Sequence, residues 1–92
     1  MRHELCEKLE LFAPNRETWE DRYRAGSDAP LLRLIDRYVA ESNGRMVATL
    51  RSLVAYESCK QLMQRLELPK SHVHYLRLVA HRELNKVYRC AA

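Results

Sequence analysis

Four side chains that could bind a metal ion, His72, His74, His81 and Cys90, fall in one stretch of the chain, and Cys59 stands between Ser58 and Lys60, where a thiol could be activated. Neither arrangement supports that chemistry. On a helix His72 and His74 lie about 200° apart and cannot share an ion. His74 and His81 fall near one face but two turns apart, roughly 10 Å, too far for one zinc ion. Cys59 falls where a helix is expected to begin, a position at which cysteine is more often a small packing residue than a reactive thiol. No paired carboxylates and no nucleophile with a neighbouring base accompany it. The sequence therefore predicts no enzymatic activity, no metal site and no cofactor.

A different chemistry is open to Lys70, Ser71, His74 and Tyr75. Donors near the amino-terminal end of a helix are the ones that reach base edges when the helix lies in the major groove of DNA. Lys70, Ser71, His74 and Tyr75 are the expected base-reading residues. Arg45, Lys60, Arg65, Arg77, Arg82, Lys86 and Arg89 are then the candidates for phosphate contacts, which set position without reading sequence. The competing reading makes all of these the solvated faces of ordinary helices.

The elements that must position them are helical. The sequence contains only two glycines and three prolines, and these fall between segments with helical periodicity, as punctuation between helices rather than the turns of a sheet. Residues 2–12 place Leu5, Cys6, Leu9 and Phe12 on one stripe, and Pro14 ends it. A second helix is expected from Asn15, its capping residue, to Ala25, with Gly26 just beyond. Ser27-Asp28-Ala29-Pro30 reads as a helix start, followed by Leu31, Leu34, Ile35, Tyr38 and Val39 at helical spacing, with Asn43-Gly44 as the stop. From Arg45 to about Tyr56, Met46, Val47, Leu50, Leu53 and Val54 make a broad apolar stripe.

In the segment from Glu57 to Tyr88, Leu62, Leu66, Leu68, Val73 and Leu76 occupy the apolar positions that lock two helices across a short turn, the requirement of a helix-turn-helix. The turn is Glu67-Leu68-Pro69, with Ser71 available as a capping oxygen. Val73, Leu76, Ala80, Leu84 and Val87 form the inward stripe of the following helix. The fold class is thus all-α: a compact four- to five-helix single domain over 1–92, with an acidic part over 1–44, a basic part over 45–92, and a helix-turn-helix at about 57–89.

The stretch LMQRLELPKSHVHYLRLVAHREL resembles the carboxy-terminal helix-turn-helix of sigma factors, the region that reads a promoter element, and that of phage antitermination Q-like regulators. Leu62, Arg65, Leu66, Leu68, Lys70, Ser71, Val73, Leu76, Arg82 and Leu84 carry the match, which covers the last third of the chain only. The resemblance implies a DNA-binding transcriptional regulator, of phage-like type, with RNA polymerase or another regulator as a protein partner. Two positions depart from the family: its turn glycine is Glu67 here, and its small residue in the first helix is Met63. Glutamate forced into a left-handed turn costs on the order of 1 kcal/mol, which predicts a looser turn.

Charge and composition agree with a polyanion partner. Residues 1–44 carry seven Lys and Arg against nine Asp and Glu, a net of −2, whereas residues 45–92 carry nine against three, a net of +6. A positive half attracts nucleic acid by releasing counterions. No apolar run approaches the roughly 18 residues of a membrane span, and the first residues are acidic where a signal peptide is basic and then apolar, so a soluble, cytoplasmic protein with no membrane partner is expected. Cys6, Cys59 and Cys90, odd in number and widely spaced, read as reduced thiols. Trp19 and Tyr23, four residues apart, are either the core's largest side chains or a surface for a protein partner. The functional expectation is a small DNA-binding transcriptional regulator, with double-stranded DNA as partner and room for a homodimer, since two-fold sites are common for this motif. The alternative is a helical adaptor that binds and masks another regulator or RNA polymerase.

Overall fold

The computed structural model describes residues 18–90. The helix expected over residues 2–12 and the capping role expected of Asn15 lie outside the described residues. Within them the protein is all-helical, with five helices in chain order: α1 (Trp19–Arg24), α2 (Ala29–Ala40), α3 (Gly44–Val54), α4 (Cys59–Leu66) and α5 (Lys70–Cys90). None is long and apolar enough to cross a membrane.

Local chemistry accounts for where each helix starts. Thr18 precedes α1, and its backbone N–H donates to the Asp21 carboxylate at 3.0 Å. Pro30 sits in the first turn of α2, where its missing N–H would have had no partner. The Asn43 side chain accepts from the Met46 N–H at 3.3 Å and caps α3. Ser58 and Gln61 close a reciprocal capping box on α4: the Gln61 N–H donates to Ser58 Oγ at 3.2 Å, and the Ser58 N–H donates to Gln61 Oε1 at 2.7 Å.

The ends of α1 to α4 share one backbone pattern. In each, an N–H reaches back five residues to a carbonyl of the last turn: Ser27 to Arg22, Asn43 to Tyr38, Glu57 to Ser52 and Leu68 to Met63, at 2.9–3.2 Å. These are Schellman closures, and each requires a left-handed residue just before the donor. Those residues are Gly26, Ser42, Tyr56 and Glu67, with φ of 99°, 57°, 55° and 55°. Only one of the four is glycine. The expectation that Asn43-Gly44 ends the third helix of the sequence reading is therefore corrected. Ser42 makes the left-handed closure of α2, Asn43 caps the next helix, and Gly44 is the first residue of α3.

The long helix α5 packs against each of the other four, while α3 also contacts α2 and α4. Among the described helices, α1 touches α5 alone. The core is built accordingly from Trp19 of α1, Leu31, Leu34, Ile35 and Tyr38 of α2, Met46, Leu50 and Leu53 of α3, and Leu76, Ala80, Leu84 and Tyr88 of α5. Leu62 and Val73 are fully buried where α4 meets α5. Two buried polar residues, Thr49 and Ser52, lie on α3, and the Thr49 hydroxyl is satisfied by donating to the Arg45 carbonyl at 2.7 Å.

Candidate nucleic-acid interface

The α4–α5 pair follows from its apolar spacing. Leu62 and Val73 are completely buried, Leu76 nearly so, and Leu66 and Leu68 pack half-buried against the core. Residues 67–69 form the connection. Glu67 takes a left-handed conformation, φ 55° and ψ 45°, at the end of the eight-residue α4. The looser turn expected of a glutamate does not occur: the left-handed geometry is kept, and the residue bears its cost. Pro69 precedes α5, and its carbonyl accepts from the N–H groups of His72 and Val73, both at 3.1 Å. Ser71, expected as a capping oxygen, stands instead inside the first turn of α5.

The buried positions of α5 fix which side chains are left outside. Val73, Leu76, Ala80 and Leu84 face inward as the spacing predicts, with Val87 half-buried. Tyr88, which the inward stripe of the sequence reading omits, is only 1% exposed and is one of the largest buried side chains. Lys70, Ser71, His72, His74 and Tyr75 are all exposed in the first two turns. Lys70 and His74 make one four-residue step along the helix, and Ser71 and Tyr75 make the adjacent one, so the four expected base-reading residues stand side by side. Leu78 extends this ridge and is 48% exposed, beside Tyr75 at 64%. Sequence reasoning missed it, although its position three residues after Tyr75 and four after His74 marks it as outward.

The expected phosphate-contact residues divide into groups. Arg45 on α3, Lys60 at the start of α4, and Arg82, Lys86 and Arg89 along α5 are exposed, whereas Arg77 is half-buried. Arg65 is committed to a bidentate ion pair with Glu57, at 2.8 and 2.7 Å, that ties the end of α4 to the residue before its cap. This pair competes with any phosphate for the Arg65 guanidinium. Lys86 lies 3.7 Å from Glu83, a carboxylate that also receives Arg37 of α2 at 3.2 Å.

Trp19 is 4% exposed and belongs to the core, and Tyr23 packs half-buried against the same cluster. A partner surface made of these two rings is therefore corrected to an internal contact. The Trp19 indole N–H donates to His81 Nδ1 at 3.1 Å, and the Trp19 backbone N–H donates to Asn85 Oδ1 at 3.2 Å. Its ring also meets those of Tyr23, His81 and Tyr88, with centroids 5.9–6.4 Å apart. Burial pushes the His81 imidazole below the usual histidine range, against the opposing pull of Glu20. Burial likewise pushes the Tyr88 phenol up; the Leu31 backbone opposes that shift without making a hydrogen bond of normal geometry.

Among the described residues no group of three or more His, Cys, Asp or Glu side chains is placed to hold a metal ion. The chain matches no protein-family model, no curated protein and no solved structure.

Proposed function

We propose that the protein is a small DNA-binding transcriptional regulator that uses α4 and α5 as a helix-turn-helix and presents the start of α5 to the major groove. The observation that carries this reading is the combination of the eight-residue α4, its left-handed closure at Glu67, and a following helix whose first two turns expose Lys70, Ser71, His74 and Tyr75 together. The segregation of positive charge into residues 45–92 supports it, as does the resemblance to the promoter-reading region of sigma factors. Lys60, exposed at the start of α4, supplies a sequence-independent phosphate contact. A homodimer on a two-fold site enlarges the small DNA surface that one copy can cover.

Titration of the full chain against genomic DNA fragments at two salt concentrations tests the reading. Binding is expected, and its absence even at low salt refutes the proposal. Lys70→Ala and Tyr75→Ala each lose about 1–3 kcal/mol on a preferred sequence and flatten the preference, whereas Lys60→Ala weakens all sequences alike and lowers the salt slope by about one. Equal effects of all three variants on every sequence reduce the interaction to general electrostatic attraction.

A second reading rests on the exposure of Tyr75 and Leu78 on one ridge, an apolar pair of the kind that anchors protein partners. In it the protein is an adaptor that masks another regulator or RNA polymerase. A stoichiometric partner retained by Tyr75 and Leu78 after nuclease treatment, together with no DNA binding, selects that reading.

A further inference from the structure

The attachment of α1 has features that the DNA-binding reading does not use. Among the described residues this helix has a single helical neighbour, α5, and its principal side chain, Trp19, is nearly inaccessible; at its far end the exposed Arg24 donates to the Tyr56 hydroxyl at 3.0 Å. The hydrogen bonds between the two helices include one from the Trp19 indole to His81 Nδ1, one from the Trp19 backbone to Asn85, and one from the Arg22 guanidinium to the Tyr88 carbonyl. On its other side α1 is joined to α2 by residues 25–28, which are all exposed and include Gly26 at φ 99°. Glycine at that angle turns the chain at little steric cost.

The bond at His81 exists only for one state of the imidazole. Nδ1 accepts from the indole, so the neutral ring must carry its proton on Nε2. A second proton has no place to go but Nδ1, where it meets the Trp19 N–H as donor against donor. The charged groups acting on His81 among the described residues are Glu20 of α1, which favours the second proton, and Arg77 of α5, which opposes it; burial opposes it more strongly than either.

We propose that α1 is a latch released by acid: protonation of His81 removes the acceptor of the Trp19 indole N–H and lets α1 leave α5, turning at Gly26. Opening uncovers Trp19 on one side and the strip of α5 formed by His81, Asn85 and Tyr88 on the other. The linkage has a definite sign. The proton binds the open form better than the closed one, so the latch is fully closed above the ordinary histidine value of about 6.5 and weakens as pH falls from there through the lower value of the closed form. Over that interval the closed-to-open ratio drops by up to about tenfold per pH unit. The inference does not depend on whether the protein binds DNA.

Trp19 is the only tryptophan, so its fluorescence and its indole N–H resonance report the latch without labelling. The experiment follows the full chain between about pH 8 and pH 5 by emission maximum, acrylamide quenching, the indole resonance and far-UV circular dichroism. The expected result is a red shift and a several-fold rise in quenching with a single-proton midpoint below the ordinary histidine value, while most helical signal is kept. His81→Gln, which cannot titrate, abolishes the transition, and His74→Gln leaves it unchanged. Three results overturn the proposal: emission and quenching that ignore pH, a transition that survives in His81→Gln, or loss of helical signal in step with the emission change, which is global unfolding.

Discussion

Replacement of Glu67 by glycine is expected to make the protein more stable, although it deletes a whole side chain. Glu67 closes α4 at φ 55° and ψ 45°, a conformation that costs an L-residue about 1–2 kcal/mol because Cβ crowds the following carbonyl. Glycine removes that cost and gives back part of the gain through the greater freedom it confers on the unfolded chain, about 0.4–1 kcal/mol. The glutamate side chain is exposed, so little else is lost. The net expectation is a gain of roughly 0.5–1 kcal/mol, or a rise of about 2–8 °C in melting temperature for a domain of this size. Urea unfolding followed by circular dichroism measures it, with an unchanged slope against denaturant. Glu67→Ala is the control: it removes the same charge but keeps Cβ, and so leaves stability near that of the unaltered protein. Equal stability of the glycine and alanine variants would refute a left-handed Glu67 and, with it, the closure described for the 67–69 connection.

Two further outcomes follow from single residues. Asn43→Ala loses the cap on α3 and destabilises the fold by about 1 kcal/mol in urea unfolding, while Asn43→Ser, which can still accept from the Met46 N–H, recovers most of the loss. Tyr88→Phe removes a buried hydroxyl that has no hydrogen-bond partner, so stability stays level or rises by up to about 1 kcal/mol; Tyr88→Ala, which empties the same site of its ring, costs about 3–5 kcal/mol.

The periodicity of apolar residues made the helices legible, because burial of one stripe is what stabilises a helix in a domain this small. Leu31, Leu34, Ile35 and Tyr38 of α2, and Met46, Leu50 and Leu53 of α3, are buried as their spacing predicts. Val39 is not: it stands on the shoulder of the stripe and is 57% exposed. Helix ends were harder to read. Ser42, Tyr56 and Glu67 adopt the conformation that glycine favours, and nothing in those residue types announces it. Tertiary packing on α5 fixes where the chain must turn, and the residue found there bears the strain. Gly44, with ordinary backbone angles at the start of α3, drew the sequence reading to the wrong side of the connection.

For the candidate interface, the exposure of Lys70, Ser71, His74 and Tyr75 could be read from the sequence, since it is the complement of the buried stripe on the same helix. The internal uses of charged and aromatic side chains could not. The pairing of Arg65 with Glu57 depends on the path of the chain before α4, and that of Trp19 with His81 joins residues 62 positions apart. Trp19 offered no signal in the sequence to distinguish a ring turned toward a partner from a ring turned toward α5.

The dependence of every other helix on α5 also orders the making of the protein. Synthesis delivers α1 to α4 first, and until α5 follows, α2, α3 and α4 have only their contacts through α3, and α1 has no packing partner among the described helices. Leu76, Ala80, Leu84 and Tyr88, the contribution of α5 to the main core, are therefore the last of its described side chains to be supplied. A chain halted before α5 is expected to expose the apolar faces of α2 and α3 that those side chains cover, and to be cleaved by protease more readily than the folded protein.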